Sequence, residues 1–311
     1  MITNNLSKIS TSEEALAIAG LNWEVGVYPI VSPVNRVKHP TRYMTVREDT
    51  GEPLGIVSKR YRVLQNRKAF QFMDDLTGDP NGPKYVGAGC LYNGRKVFLV
   101  VDAGGMGIIQ DDEVRKYILL VHSHDGTMAV QTILTPYRMK CLNQLTMIRN
   151  EAETAAGSYE GQGGLIYRVR HAGNCELNVE KAMEVLGIIN RRFDQTLDAY
   201  MQLSRAEPTR EQVEQVLMKL FPDSQHSSKA KVKREKVLEL ACAGRGNDEA
   251  GVRGTAWSLY NGVTEYVDHY QYPNAHRPGQ HGDSARESVM MGRGAILKAR
   301  ALNVITNICL N

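Results

Sequence analysis

With 311 residues, 42% of them hydrophobic and 23% charged, the chain can bury a sizeable core and falls outside the disordered range of composition. A net charge of +4 permits a polyanionic partner without demanding one, so local charge distribution has to carry that argument. The first residues lack a signal-peptide pattern, no apolar run approaches the roughly 18 to 20 residues that span a bilayer, and five scattered cysteines form no CxxC pair. The expectation is a cytoplasmic protein without a membrane partner, with reduced thiols, no disulfide framework and no zinc finger.

In chain order, Thr11 or Ser12 can cap a short helix with Glu13 and Glu14 in its first turn. Residues 23–63 read as strands and turns, with a hairpin across Asp49-Thr50-Gly51. Asn66 opens a helix whose Ala69, Phe70, Met73 and Leu76 share one face. Strands over 84–91 and 96–101 flank Asn93-Gly94, and strands over 117–122 and 128–134 flank Asp125-Gly126. Helical spacing returns over 138–149, a glycine-rich loop covers 157–164, and 165–170 reads as one more strand. Val179, Met183, Leu186, Ile189, Phe193, Leu197 and Tyr200 mark an amphipathic helix over 179–203. Further helices are expected from Thr209 to Pro222, from about Lys229 to Leu240, over 255–270 and over 284–308. The whole predicts an α+β protein: an antiparallel β-hairpin sheet packed with helices, then a mainly helical C-terminal part. Residues 1–175 form the β-rich core, and 176–311 a helical region able to pack on it as one domain.

Enzymatic signatures are weak. His122 and His124, two apart on a strand, point to one face and with Asp125 form a candidate metal site, but Asp125-Gly126 is also the turn a hairpin wants. His171 joins them only if the fold brings it over. No Gly-x-Ser-x-Gly elbow and no P-loop ending in Lys-Ser/Thr occur, so the expectation is neither a catalytic residue nor a cofactor.

Basic residues beside aromatics are the better signal: Lys59-Arg60-Tyr61-Arg62, Tyr137-Arg138-Met139-Lys140 and Tyr167-Arg168-Val169-Arg170-His171. Arg60, Arg62, Arg138, Lys140, Arg168 and Arg170 are candidates to contact phosphates. Tyr61, Tyr137 and Tyr167 are candidates to stack on bases, with the sheet over 84–134 as their platform. The bland reading of each cluster is a solvated face with its tyrosine packed on the core; the basic run 229–236 has the same reading.

The run 61–70, with Ser123-His124-Asp125-Gly126, Thr135-Pro136-Tyr137-Arg138, Cys141-Leu142-Asn143-Gln144-Leu145 and 166–174, resembles a phage/plasmid-like family known as domain of unknown function 932. Met139-Lys140 departs from the two apolar residues usual there. The resemblance spans about residues 20–270 and implies mobile-element DNA metabolism. The order of hairpins and helix is also similar to the core of Rad52-type single-strand annealing proteins, an analogy of topology. That implies single-stranded DNA as partner, a homo-oligomeric ring or filament, and annealing without nucleotide hydrolysis. Two other readings stand beside it: an accessory or anti-defence protein that binds a host protein, and a metal-dependent nuclease using His122, His124 and Asp125.

Overall fold

The structure is a computed structural model that describes residues 2–3, 11–77, 84–109, 112–138, 165–169, 171, 179–223, 228–277 and 279–311. Two antiparallel sheets and a set of helices make up the fold. The expected short N-terminal helix is α1 (Ser12–Ile18), capped by Thr11, whose Oγ1 accepts the Glu14 amide. A three-stranded sheet follows: β2 (Val25–Val31), β3 (Lys38–Arg47) and β4 (Pro53–Ser58), in the order β2-β3-β4. Helix α2 (Asn66–Thr77) leads into the larger sheet.

That sheet has six strands in the order β1-β5-β6-β7-β8-β9: β1 (Ile2–Thr3), β5 (Lys84–Leu91), β6 (Lys96–Ile109), β7 (Asp112–Ser123), β8 (Val130–Arg138) and β9 (Leu165–Val169). At the Asn93-Gly94 turn, Tyr92, Asn93 and Gly94 all take positive φ, which suits the last two residue types. The β6–β7 hairpin is far longer than its sequence suggests. Gly104 and Gly105 adopt φ of 66° and 83°, and the register shifts between Asp102 and Met106. The glycines serve a β-bulge inside one continuous ladder.

Successive residues of β6 point to opposite faces, and both faces are buried. Val97, Leu99 and Val101 join a core with α1, α2 and the long helix α3 (Val179–Arg205), which presents Val185, Ile189, Phe193, Tyr200 and Leu203. Phe98 and Val100, with Leu119, Val121 and Ile133, pack on the other side against Met290, Met291 and Ala295. These three come from the ends of α7 (Gln280–Met290) and α8 (Arg293–Cys309), which meet at Gly292 where the sequence suggests one uninterrupted helix. Strands buried on both faces read as unbroken apolar runs, as 97–101 and 117–121 do.

Helices α4 (Arg210–Leu220), α5 (Lys229–Ala243) and α6 (Ala256–Glu265) complete the helical part. Thr209 caps α4 with a capping box to Gln212. Helix α6 runs on into a π-helical turn, Tyr266–Gln271, and part of the expected loop after it forms a short 3-10 helix, Pro273–His276. The expected helix 138–149 and the glycine-rich loop 157–164 lie outside the described residues, apart from Arg138, which ends β8. Among the described residues no helix is long and apolar enough to cross a membrane.

Candidate nucleic-acid interface

Over residues 97–101 and 117–121 the larger sheet is buried on both faces and is not the open platform that the sequence suggests there, while the far part of β6 is more open, with Ile108 exposed. The three-stranded sheet is different. Its inner face packs down through Val25, Thr45 and Val57, and its outer face is left to solvent. The register sets Arg42 opposite Ser58, so Lys59 and Arg60 follow directly beside Arg42. Arg42, Lys59, Arg60 and Arg62 are all exposed, as are Arg36 and Lys38 near the tip of the β2–β3 hairpin. None of these six cations makes an ion pair among the described residues, whereas Arg47 is held by Asp49 and Arg67 by Glu13.

This concentration has a signal in the sequence that local clustering misses. Residues 25–73 hold nine Lys and Arg against three acids, a net +6, so the remainder of a chain of net +4 is slightly acidic. The three acids, Glu48, Asp49 and Glu52, all sit at the β3–β4 turn, and none falls between Val25 and Arg47. Arg36, Lys38, Arg42, Lys59 and Arg60 therefore gather at the opposite end of the small sheet, while Arg47 stays with the acids and Arg67 and Lys68 lie on α2.

Segment 59–62 is clamped to the end of the larger sheet. The Tyr61 hydroxyl donates to Ser123 O at 2.7 Å, and its ring stacks on His171 with centroids 4.9 Å apart. The Arg62 amide donates to His171 O, and His171 Nδ1 donates back to Arg62 O at 3.0 Å. Two of the three basic clusters thus meet, since exposed Arg168 lies three residues before His171. Tyr61 is thus engaged in the clamp through its hydroxyl and its ring against His171.

The second cluster does not join them. Arg138 lies seven residues along β8 from Gln131, the partner of Arg168, a separation of roughly 23 Å. Its guanidinium is buried, paired with the fully buried Asp112, and donates to Arg245 O, Gly246 O and Asn247 Oδ1. It is a structural node that ties β7 and β8 to the helical part, and it is not free to contact a phosphate as the sequence suggests. Tyr137 and Tyr167 lie on β8 and β9, Tyr167 opposite Thr132; their side chains, and all of Lys140 and Arg170, lie outside the described residues. In the basic run at the start of α5, Arg234 pairs with Asp223 and donates to Phe221 O, and Lys236 pairs with Glu239, so both are largely covered.

The fold does bring His171 to the histidine pair. Ring centroids of His122 and His124 are 4.8 Å apart and those of His122 and His171 6.5 Å, and all three rings are buried. The Asn66 amide nitrogen is taken by Leu21 O, so its oxygen accepts from His124 Nε2 at 3.0 Å, which places the His124 proton on Nε2. Neither ring nitrogen of His122 has a hydrogen-bond partner among the described residues. Burial, reinforced by the mutual repulsion of the rings, holds the His122 pKa well below its ordinary value and lowers that of His124 to about 3. Burial lowers His171 too, against the opposing pull of the Arg62 carbonyl and Asp125. Asp125 is turned to its own loop, where its carboxylate accepts from the Thr127 amide and hydroxyl. Among the described residues no group of three or more His, Cys, Asp or Glu side chains is placed to hold a metal ion.

The class this architecture defines is an α+β protein with an antiparallel sheet covered on both faces at its centre and a small, cation-rich sheet docked at one end of it. The family described as Domain of unknown function (DUF932) matches residues 53–291, well over half of the chain, and the chain belongs to that family. No curated protein and no solved structure matches it significantly.

Two outcomes follow from this geometry. Arg138→Ala leaves Asp112 buried without its charge partner and should cost ~3–5 kcal/mol in urea unfolding, with nucleic-acid affinity of the remaining folded protein unchanged. A pronounced loss of affinity in still-folded protein would return Arg138 to the surface role. The histidines are neutral in the fold and protonate below about 6.5 once unfolded, so the unfolded state takes up more protons. Stability should be complete above that pH and fall as pH drops toward 3, by up to ~1.4 kcal/mol per pH unit for each histidine kept neutral. Denaturation midpoints across pH 7 to 4 read this directly, and His124→Asn should flatten the slope.

Proposed function

We propose that the protein binds single-stranded nucleic acid and anneals complementary strands without nucleotide hydrolysis, in the DNA metabolism of phages and plasmids. The observation that carries this reading is the gathering of Arg42, Lys59, Arg60, Arg62 and Arg168 around one edge of the fold, with no acidic residue between Val25 and Arg47. Phosphates are neutralised by such cations, and binding through them releases counterions. A protein that anneals strands needs to hold one of them extended and then release the duplex; it needs no bond chemistry, in keeping with a sequence that lacks a P-loop. Assembly into a homo-oligomeric ring or filament, by topological analogy with Rad52-type annealing proteins, belongs to the same proposal. The nuclease reading requires converging metal ligands, and the described residues do not supply them. A host-protein partner is the competing reading.

The test is annealing of complementary oligonucleotides followed by fluorescence at two salt concentrations, with and without EDTA. The expected result is acceleration that weakens with salt and is indifferent to EDTA and to ATP. Replacing Arg42, Lys59, Arg60 and Arg62 together by Ala should lower affinity strongly and reduce the salt slope by roughly 0.7 for each phosphate no longer neutralised. An unchanged slope in that variant would refute the site assignment. No binding by the wild-type protein would move the weight to a protein partner.

A further inference from the structure

Six of the large hydrophobic side chains exposed among the described residues, Val27, Tyr28, Val31, Val34, Val37 and Ile56, lie on the small sheet and its β2–β3 arm. Single exposed apolar residues are ordinary; Tyr28 and Ile56 share the outer face, whereas Val27, in register with Thr45, belongs to the other. On the outer face the register lines up Tyr28, Met44 and Ile56 as a row across all three strands. Ile56 is 63% exposed and Tyr28 46%.

Tyr28 is held in a particular pose. A Cβ on Gly26 would run into its ring, so the ring lies across the sheet over that glycine. At its far end the phenol donates to Glu48 Oε1 at 3.1 Å. The ring is thus seated over the β2 backbone at Gly26 and tethered at its hydroxyl, and it remains 46% exposed. Arg42 stands on the same outer face, two residues before Met44, with Lys59 and Arg60 beside it.

We infer that this outer face is a platform for unpaired bases, which stack on Tyr28 and pack on Met44 and Ile56 while the phosphates run along Arg42, Lys59 and Arg60. The inference rests on the strand-binding reading and specifies its ligand. Bases of a duplex turn their faces to one another and cannot reach the platform, so the face selects single strands. Arg42, Lys59 and Arg60, unpaired among the described residues along one side of the row, complement a polyanion, which is the occupant this face fits.

The experiment is fluorescence anisotropy with a labelled oligothymidylate and with a labelled hairpin duplex. Tyr28→Ser combined with Ile56→Ser removes exposed side chains, and circular dichroism verifies that the fold is kept. That variant should bind the single strand about tenfold or more weakly, with its salt slope and its duplex affinity unchanged, because every cation remains in place. Tyr28→Phe should keep most of the affinity that the Ser/Ser variant loses, since the ring that stacks remains and only its tether to Glu48 is lost. Gly26→Ala, which displaces the ring and touches no cation, should weaken single-strand binding in the same direction. Wild-type affinity in the Ser/Ser and Gly26→Ala variants would overturn the platform. Strand binding itself would still stand if Arg42→Ala with Lys59→Ala and Arg60→Ala lowered both affinities. A change in sedimentation of the Ser/Ser variant with unaltered strand affinity would make the face a contact between copies instead. Absence of any binding by the wild-type protein would end both readings.

Discussion

The fold depends on burying the β6–β7 ladder on both faces. Phe98 and Val100 face one core, Val97, Leu99 and Val101 the other, and helices close over each side. Burying a large apolar side chain contributes on the order of 1.5–3 kcal/mol, so ten or more such groups along two strands dominate the assembly of this fold. The same burial has a functional consequence. Where the sheet is covered on both faces it offers no surface on which a polymer can lie, and surface chemistry there falls to its ends and to whatever docks on them.

The small sheet docks at one of those ends. Val57 packs against Gly126 of the β7–β8 turn, and a Cβ on Gly55 would collide with Asp125, so the two units touch backbone to backbone. Tyr61 and His171 complete the seam, with the neutral histidines buried behind it. Neutral rings fit an apolar seam where charged ones would not, because burial penalises the charged form. The seam therefore fixes where Arg60, Arg62 and Arg168 stand relative to Arg42, and it does so most firmly at neutral and higher pH.

Much of this was legible in the sequence. The α+β class, the Thr11 and Thr209 caps, the hairpin turns at Asn93-Gly94 and Asp125-Gly126 and the long helix from Val179 all follow from turn chemistry and periodicity. The length of the β6–β7 hairpin was hidden by Gly104 and Gly105, which weaken a strand pattern where they serve a bulge. Arg138 misled because its partners, Asp112 and Asn247, are far away in the chain, and a cation beside an aromatic reads the same whether it faces water or a buried carboxylate. The approach of His171 to His122 depends on β9 pairing with β8, which local spacing does not encode. The charge imbalance of residues 25–73 was present in the sequence throughout, but it emerges only when acids are counted along with bases over a whole unit.

Nucleic acid, on this reading, is engaged by the small sheet, segment 59–62 and the neighbouring Arg168 of β9, and not by the faces of the larger sheet or the helices. Hydrogen exchange of the protein with and without a saturating single-stranded oligonucleotide tests this most directly. Added protection is expected in β2, β3, β4 and residues 59–62, with exchange in α4, α6 and α8 unchanged. Protection confined to the helical part, with the small sheet exchanging as in the free protein, would contradict it.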